Sequence, residues 1–466
     1  MLFNSFSFII FFITTFIVYY LPFFKKNQVS ILIIASLIFY AFENPWLLCL
    51  LFTSVIINSI MSYYIVFSNY KRLLLILGVI FNLALLAFFK YSNLIAVSFF
   101  DVNHSFGSFL LSIPLPIGIS FFTFEGISLL VDVFRSNDPV SDRIVEPKIR
   151  VHLHKSLFFI VFFPHLVAGP ILKADDFFPQ ISSKRLKDID FTSCFKQLVV
   201  GYFLKVVVAD NLKEYTFWIE YPYFGSQSTV TLLSMLIGYS CQIFADFAGY
   251  SLIALGLAQL FGYRLLDNFN FPYISLTFKE FWKRWHISLS TFLMKYLYIP
   301  MGGNRKGKLK MYLFLFLTMV IGGLWHGAAW SFAVWGAFHG LLLLTERMLP
   351  SIHHSNILFR ILKRFWVFIC VTFGWLLFKL TNFDQALHYF YSLATNLDLH
   401  LNWQICINIF VYSSPVFLYH FVYLLRLKYR SWNILFSKFE FIFYGILLFL
   451  LVTNSGISGS FIYFQF

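Results

Sequence analysis

The stretch LTMVIGGLWHGAAWSFAVWGAFHG, residues 317–340, decides what kind of protein this is. It holds no Asp, Glu, Lys or Arg, and it is long enough to cross a hydrocarbon layer about 30 Å thick, which takes roughly 20 apolar residues of helix. Comparable windows recur from Phe6–Phe24 to the region around Phe441–Val452, so the chain is expected to be an all-α, polytopic integral membrane protein. About 10 to 12 membrane-embedded segments are expected, some of them too short to span alone. Composition agrees: 59% of the 466 residues are hydrophobic, 22% aromatic and only 12% charged, against about 25% charged in a soluble domain.

The net charge of +14 would suggest nucleic acid in a soluble protein. Here the basic residues sit in short loops between apolar segments, and retention of basic loops in the cytoplasm explains them without a nucleic-acid partner. Loops carrying Lys25 and Lys26, Lys71 and Arg72, Arg143 to Lys155, Lys184 to Lys187, Arg305 to Lys310 and Arg426 to Arg430 are therefore expected inside, with the N-terminus outside. The first apolar stretch lacks a basic start and a small-residue cleavage site, and it reads as a permanent helix rather than a signal peptide. The five cysteines, Cys49, Cys194, Cys241, Cys370 and Cys406, are scattered without a Cys-x-x-Cys pair, so they read as buried apolar thiols, with no disulfide framework and no metal site. No soluble-length insertion divides the chain, which reads as one membrane domain over residues 1–466.

Several apolar runs are interrupted where a spanning helix should be continuous: at Pro114 and Pro116, at Pro164 and Pro170, and at Gly322 and Gly323. Irregular backbone survives at membrane depth only where protein or a water-filled cavity covers its polar groups, so these breaks predict re-entrant segments around an interior. In FWKRWHISLSTFLMKYLYIPMGGNRKG, residues 281–307, and just before it, Phe278, Phe281, Trp282, Trp285, Leu289, Phe292, Leu293 and Tyr296 keep the spacing of one helical face. Two placements fit that face: an interfacial helix with the stripe in lipid, or an inward hairpin turning at Gly302 and Gly303.

Among twelve histidines, His152, His154, His353, His354, His388 and His400 lie in polar or basic loops and read as solvated. His326 differs, because it stands inside an apolar segment, where an ionisable group is costly and points to function. Gly322, Gly323, Gly327, Ala328 and Ala329 around it let a ligand or a helix approach the ring. Desolvation disfavours the imidazolium, so a dry His326 is expected to be neutral and suited to take the proton of a hydroxyl attacking an activated ester. His286, a tryptophan N–H or a backbone N–H near a glycine break are candidates to stabilise the oxyanion. His339 in the same segment reads as structural. Asp246 needs a partner, with Arg264 or Tyr250 as the candidates in view, or it orients a catalytic histidine; Glu125 has the same status. No GxxxxGK[ST], HExxH or GxSxG motif and no carboxylate cluster with metal spacing is present, which leaves ATPase, zinc protease and serine hydrolase readings unsupported.

The segments PIGISFFTFEGISLLVDVFR (116–135), FFPHLVAGPI (162–171), FWKRWHISLSTFLMKYLYIPMGGNRKG and GGLWHGAAWSFAVWGAFHG (322–340) resemble, in this order, the membrane-bound O-acyltransferase family, and within it the bacterial branch that includes the alginate O-acetylation membrane protein. The resemblance covers roughly residues 110–345, the expected catalytic core. It implies helices around a central tunnel in which a cytoplasmic acyl thioester meets an acceptor from the other side. It puts the family's active-site histidine on His326 and the second histidine of the branch on His286. Met294, Lys295, Leu252 and Glu125 depart from the branch pattern.

The implied function is transfer of acetyl, with acetyl-CoA as donor and no tightly bound cofactor, toward hydroxyls of an exported polysaccharide or of peptidoglycan. Transfer is direct or through a periplasmic SGNH-type partner, in a bacterial inner membrane. D-alanyl transfer to teichoic acid is the alternative within the class. A transporter or flippase of a lipid-linked glycan is the alternative outside it, since broken helices and intramembrane polar groups also mark transporters; no internal repeat supports it.

Overall fold

The computed structural model describes residues 1–42, 44–101, 103–166, 169–349, 356–457, 459 and 461, so His353 and His354 lie outside the described residues. All regular structure among the described residues is helical. Nine helices there are long and apolar enough to cross a membrane, and the shorter Phe6–Tyr20 helix adds a tenth apolar rod. The chain divides into two compact units: Met1–Phe195 with Ile253–Leu266, and Lys196–Leu252 with Asp267–Phe466.

Within the first unit large apolar side chains cover the outer faces of the helices, as a hydrocarbon solvent favours, and small polar side chains are buried among apolar ones. On Leu47–Phe67, Ser54, Asn58, Ser59 and Ser62 are buried, while Ile56, Ile60 and Tyr64 are exposed. Asn58 and Asn82, the latter on Lys71–Lys90, exchange amide hydrogen bonds of 3.1 and 2.7 Å. The Ile119–Arg135 helix passes so close that a Cβ on Gly126 would stand 2.6 Å from Asn58 Nδ2. Replacing Asn82 by leucine is expected to leave the Asn58 amide poorly matched and to cost about 1 to 2 kcal/mol; a thermal-shift measurement on the purified protein should show a transition lower by a few degrees.

The predicted proline breaks are present, and each is covered by protein. Ser105–Ser112 ends before Pro114, and the next helix begins only at Ile119. The carbonyl of Ile117, freed by the break, accepts from the Tyr40 hydroxyl at 2.9 Å, and Gly118 takes φ +77° where a Cβ would meet the Leu166 carbonyl at 2.9 Å. Ile149–Val161 stops before Pro164, and the Phe163 amide is satisfied by Ser36 Oγ at 3.0 Å. This is the condition for irregular backbone in an apolar medium.

Two expectations about helices are corrected in the second unit. Gly322 and Gly323 do not interrupt a helix: Lys308–His326 runs straight through them, and the break falls at residues 327–329, before Trp330–Met348. The glycines serve close packing instead. A Cβ on Gly323 would lie 2.2 Å from the Phe332 carbonyl, and one on Gly336 would lie 2.3 Å from that of Met319. The aromatic stripe of 278–296 is also not one helix. It divides into Phe278–Arg284 and Ile287–Leu293, followed by a π-helical turn over Met294–Tyr298. Phe278, Phe281, Trp285, Leu289, Phe292 and Leu293 are buried in protein, which excludes the placement of the stripe in lipid. Gly302 and Gly303 do adopt the expected positive φ.

Smaller corrections follow from burial. His152 is buried, with Nε2 2.8 Å from Ser62 Oγ, because its helix packs the ring inward although the flanking residues are basic. Cys49 is exposed and Cys406 half-buried, whereas Cys194, Cys241 and Cys370 are buried as expected.

Candidate functional site

In the second unit His326 is the last residue of the Lys308–His326 helix. The glycine that follows has a steric cause: a Cβ on Gly327 would overlap the Phe332 ring at 2.1 Å. The imidazole is 3% exposed and walled by aromatic rings, with centroids 5.2 Å away at Trp325, 5.2 Å at Trp335 and 5.4 Å at Phe378. Trp335 meets it edge to face at 89°, a geometry that suits the ring quadrupoles.

His286 is fully buried and occupies the junction between Phe278–Arg284 and Ile287–Leu293 with φ +42° and ψ +57°. That left-handed backbone is strained for a residue with a Cβ and tends to be kept where function requires it. Residues 268–270 hold the junction from the side: the Ile287 amide donates to the Asn268 carbonyl at 2.9 Å, and the Asn270 amide donates to the Arg284 carbonyl at 2.9 Å. Arg284 Nη1 returns a hydrogen bond of 2.9 Å to the Asn270 carbonyl. The Phe247 ring stands perpendicular to the imidazole at 4.6 Å.

These two elements bring the His286 and His326 rings to 6.0 Å between centroids, with Trp325 beside both. His339 is not part of that pair. It is buried among Trp282 at 5.1 Å, Trp335 at 4.8 Å and Phe338 at 5.4 Å, so Trp335 separates it from His326.

Asp246 has a partner that no local pattern singled out. Lys205 Nζ lies 2.7 Å from its Oδ1 and 2.6 Å from Oδ1 of Asp210, and all three side chains are at most 5% exposed. Lys205 belongs to a π-helical turn over Phe203–Ala209, and it stands 5.8 Å from the Tyr250 ring. The close approach of this turn to Thr229–Leu260 depends on Gly249, where a Cβ would stand 2.9 Å from the Lys205 amide. In the first unit Glu125 is likewise paired, with Nδ1 of the buried His165 at 2.9 Å; His165 Nε2 reaches the Phe159 carbonyl at 3.1 Å. The FFPHL segment carried His165 in plain view, but nothing in the spacing joined it to Glu125. No cluster of three or more possible metal ligands occurs among the described residues.

The second unit thus holds two buried imidazoles side by side among aromatic rings. Residues 145–383 match the membrane-bound O-acyltransferase family. The chain belongs to that family, and it is an O-acyltransferase. It is 37% identical over 400 residues to the probable alginate O-acetylase AlgI of Pseudomonas aeruginosa, covering 83% of this chain and 73% of that protein. It is 36% identical over 394 residues to the peptidoglycan O-acetyltransferase of Helicobacter pylori, covering 76% and 72%. Similarity to the teichoic acid D-alanyltransferase of Bacillus subtilis is 31% over 241 residues, or 49% of this chain and 58% of that protein.

Proposed function

We propose that this protein transfers acetyl from acetyl-CoA in the cytoplasm toward hydroxyls of an extracytoplasmic polysaccharide or of peptidoglycan, directly or through a periplasmic SGNH-type partner, in a bacterial inner membrane. The observation that carries the reading is the pair of buried imidazoles at 6.0 Å. His326 serves as the base. As the acceptor oxygen attacks the thioester carbonyl carbon, the hydroxyl proton passes to His326, the carbon–sulfur bond breaks, and the departing thiolate recovers the proton from the imidazolium. His286 supports the same step from beside it. The aromatic walls exclude water that would otherwise compete with the acceptor as nucleophile.

The acetyl and glycan assignments draw support from relatives that are acetylases of alginate and of peptidoglycan at 36 to 37% identity over most of the chain. Mass spectrometry of envelope glycans from cells with and without this protein tests them. Loss of O-acetyl groups on deletion is the expected result. Unchanged acetylation with loss of D-alanyl esters would overturn it in favour of D-alanyl transfer.

A further inference from the structure

Asn268 does more than lend its backbone to the turn that carries His286. Its side chain is buried, as are those of Ser251 and Ser288 around it. Oδ1 of Asn268 accepts from the Ser288 backbone amide at 3.3 Å and from the Ser288 hydroxyl at 2.6 Å. Nδ2 donates to Ser251 Oγ at 3.1 Å. Ser288 Oγ in turn lies 3.5 Å from Nδ1 of His286.

The direction of each hydrogen bond in this chain follows from what each group is able to do. A backbone N–H only donates, so the amide atom facing Ser288 is the oxygen, and the orientation of the Asn268 amide is fixed. An amide oxygen only accepts, so the Ser288 hydroxyl spends its one proton on Asn268. Ser288 Oγ then offers His286 lone pairs alone. The contact to Nδ1 is favourable only when Nδ1 carries the proton, and in the neutral ring that leaves the lone pair on Nε2.

We propose that Asn268, acting through Ser288, is a positioning residue that sets the tautomer of His286 and steadies its left-handed backbone, so that Nε2 is the nitrogen that accepts. The proposal rests on His286 serving acyl transfer, and it narrows how. A neutral ring with its lone pair on Nε2 accepts a hydrogen bond from a substrate hydroxyl or amide N–H; it has no proton there to give to an oxyanion. Oxyanion stabilisation is therefore left to other donors.

The test uses the full-length protein in nanodiscs, with ¹⁵N-labelled histidine and acetyl-CoA as the donor probe. The ring signals of His286 are assigned by their disappearance in His286→Gln. Wild-type His286 is expected to show a protonated Nδ1 and an unprotonated Nε2. Asn268→Leu removes the acceptor, frees the Ser288 hydroxyl to donate to the ring, and should move the proton to Nε2. That change should lower kcat about 10- to 100-fold, the usual cost of losing an orienting partner, with KM nearly constant. Asn268→Asp again presents an oxygen to Ser288, and it should restore the Nδ1 proton and much of the lost rate. Should Asn268→Leu fail to accumulate, Ser288→Ala takes its place: it removes the oxygen that faces Nδ1 and should abolish the preference for the Nδ1 proton, and a Ser288→Ala ring that keeps the wild-type tautomer overturns the assignment. A wild-type ring protonated at Nε2, or an Asn268→Leu ring that keeps its Nδ1 proton, overturns the assignment. Normal transfer by His286→Ala overturns the part of His286 in the reaction while leaving the tautomer measurement intact, so the two failures are separable.

Discussion

His326→Ala is expected to lower acyl transfer by about 10²- to 10⁴-fold, the range that a positioned general base contributes, while the protein still accumulates in the membrane. The ring is 3% exposed and has aromatic neighbours on several sides. Truncation removes the proton acceptor and leaves a small void among rings that already hold one another, since Trp335 also packs on Trp375 at 5.5 Å. A purely structural His326 makes the opposite forecast: activity would fall only in step with abundance, as for a lost buried contact worth about 1 to 3 kcal/mol. Immunoblots of the membrane fraction and O-acetyl content of the envelope glycans, measured in the same strains, separate the two. A His326→Ala protein present at the normal level and acylating at the normal rate would show that this imidazole is not the base.

Lys205→Met is expected to be the most damaging single change to the fold of the second unit. Lys205 is the cation between Asp210 and Asp246, at 2.6 and 2.7 Å, in a setting almost without solvent. Methionine fills similar volume but withdraws the positive charge from two carboxylates, and breaking a buried ion pair from one side costs about 3 to 5 kcal/mol. The protein should accumulate poorly and lose its cooperative thermal transition. Adding Asp210→Asn and Asp246→Asn to Lys205→Met should recover part of the loss, because charge, not shape, was the defect. A Lys205→Met protein with wild-type abundance and melting temperature would refute this account. Asp246 immediately precedes Phe247, whose ring stands on His286, so the same triad anchors the helix segment that flanks the candidate site.

Much of the membrane architecture was legible because its causes are local. A run of about 20 apolar residues is the mark of a span, and a proline removes a helical hydrogen bond and crowds the turn before it, so many of the spans and the breaks near Pro114 and Pro164 were visible, although Pro415 stands inside the unbroken Trp403–Lys428 helix. Gly322 and Gly323 misled because glycine has two uses. It loosens a helix, and it lets another helix come close; only the partner helix, with Gly336 against Met319, shows which use applies. The stripe from Phe278 to Tyr296 kept helical spacing across a point where the chain leaves the helix. The signal for that departure lies in Asn268 and Asn270, which hold residues 284–288 from a distant part of the sequence.

That this chain lives in a membrane and is a membrane-bound O-acyltransferase in kind was legible along the chain, and so was the choice of His326 and His286 as candidates. Each of these depends on residue type, period or motif, which are properties of neighbours along the chain. Tertiary structure decided that the two imidazoles lie 6.0 Å apart, that Lys205 neutralises Asp246, that Glu125 faces His165, and that Asn268 reaches His286 through Ser288. The physical reason is the same throughout: a buried polar group must find its complement wherever the fold brings one, and that partner stands beside it in space without leaving any mark beside it in sequence.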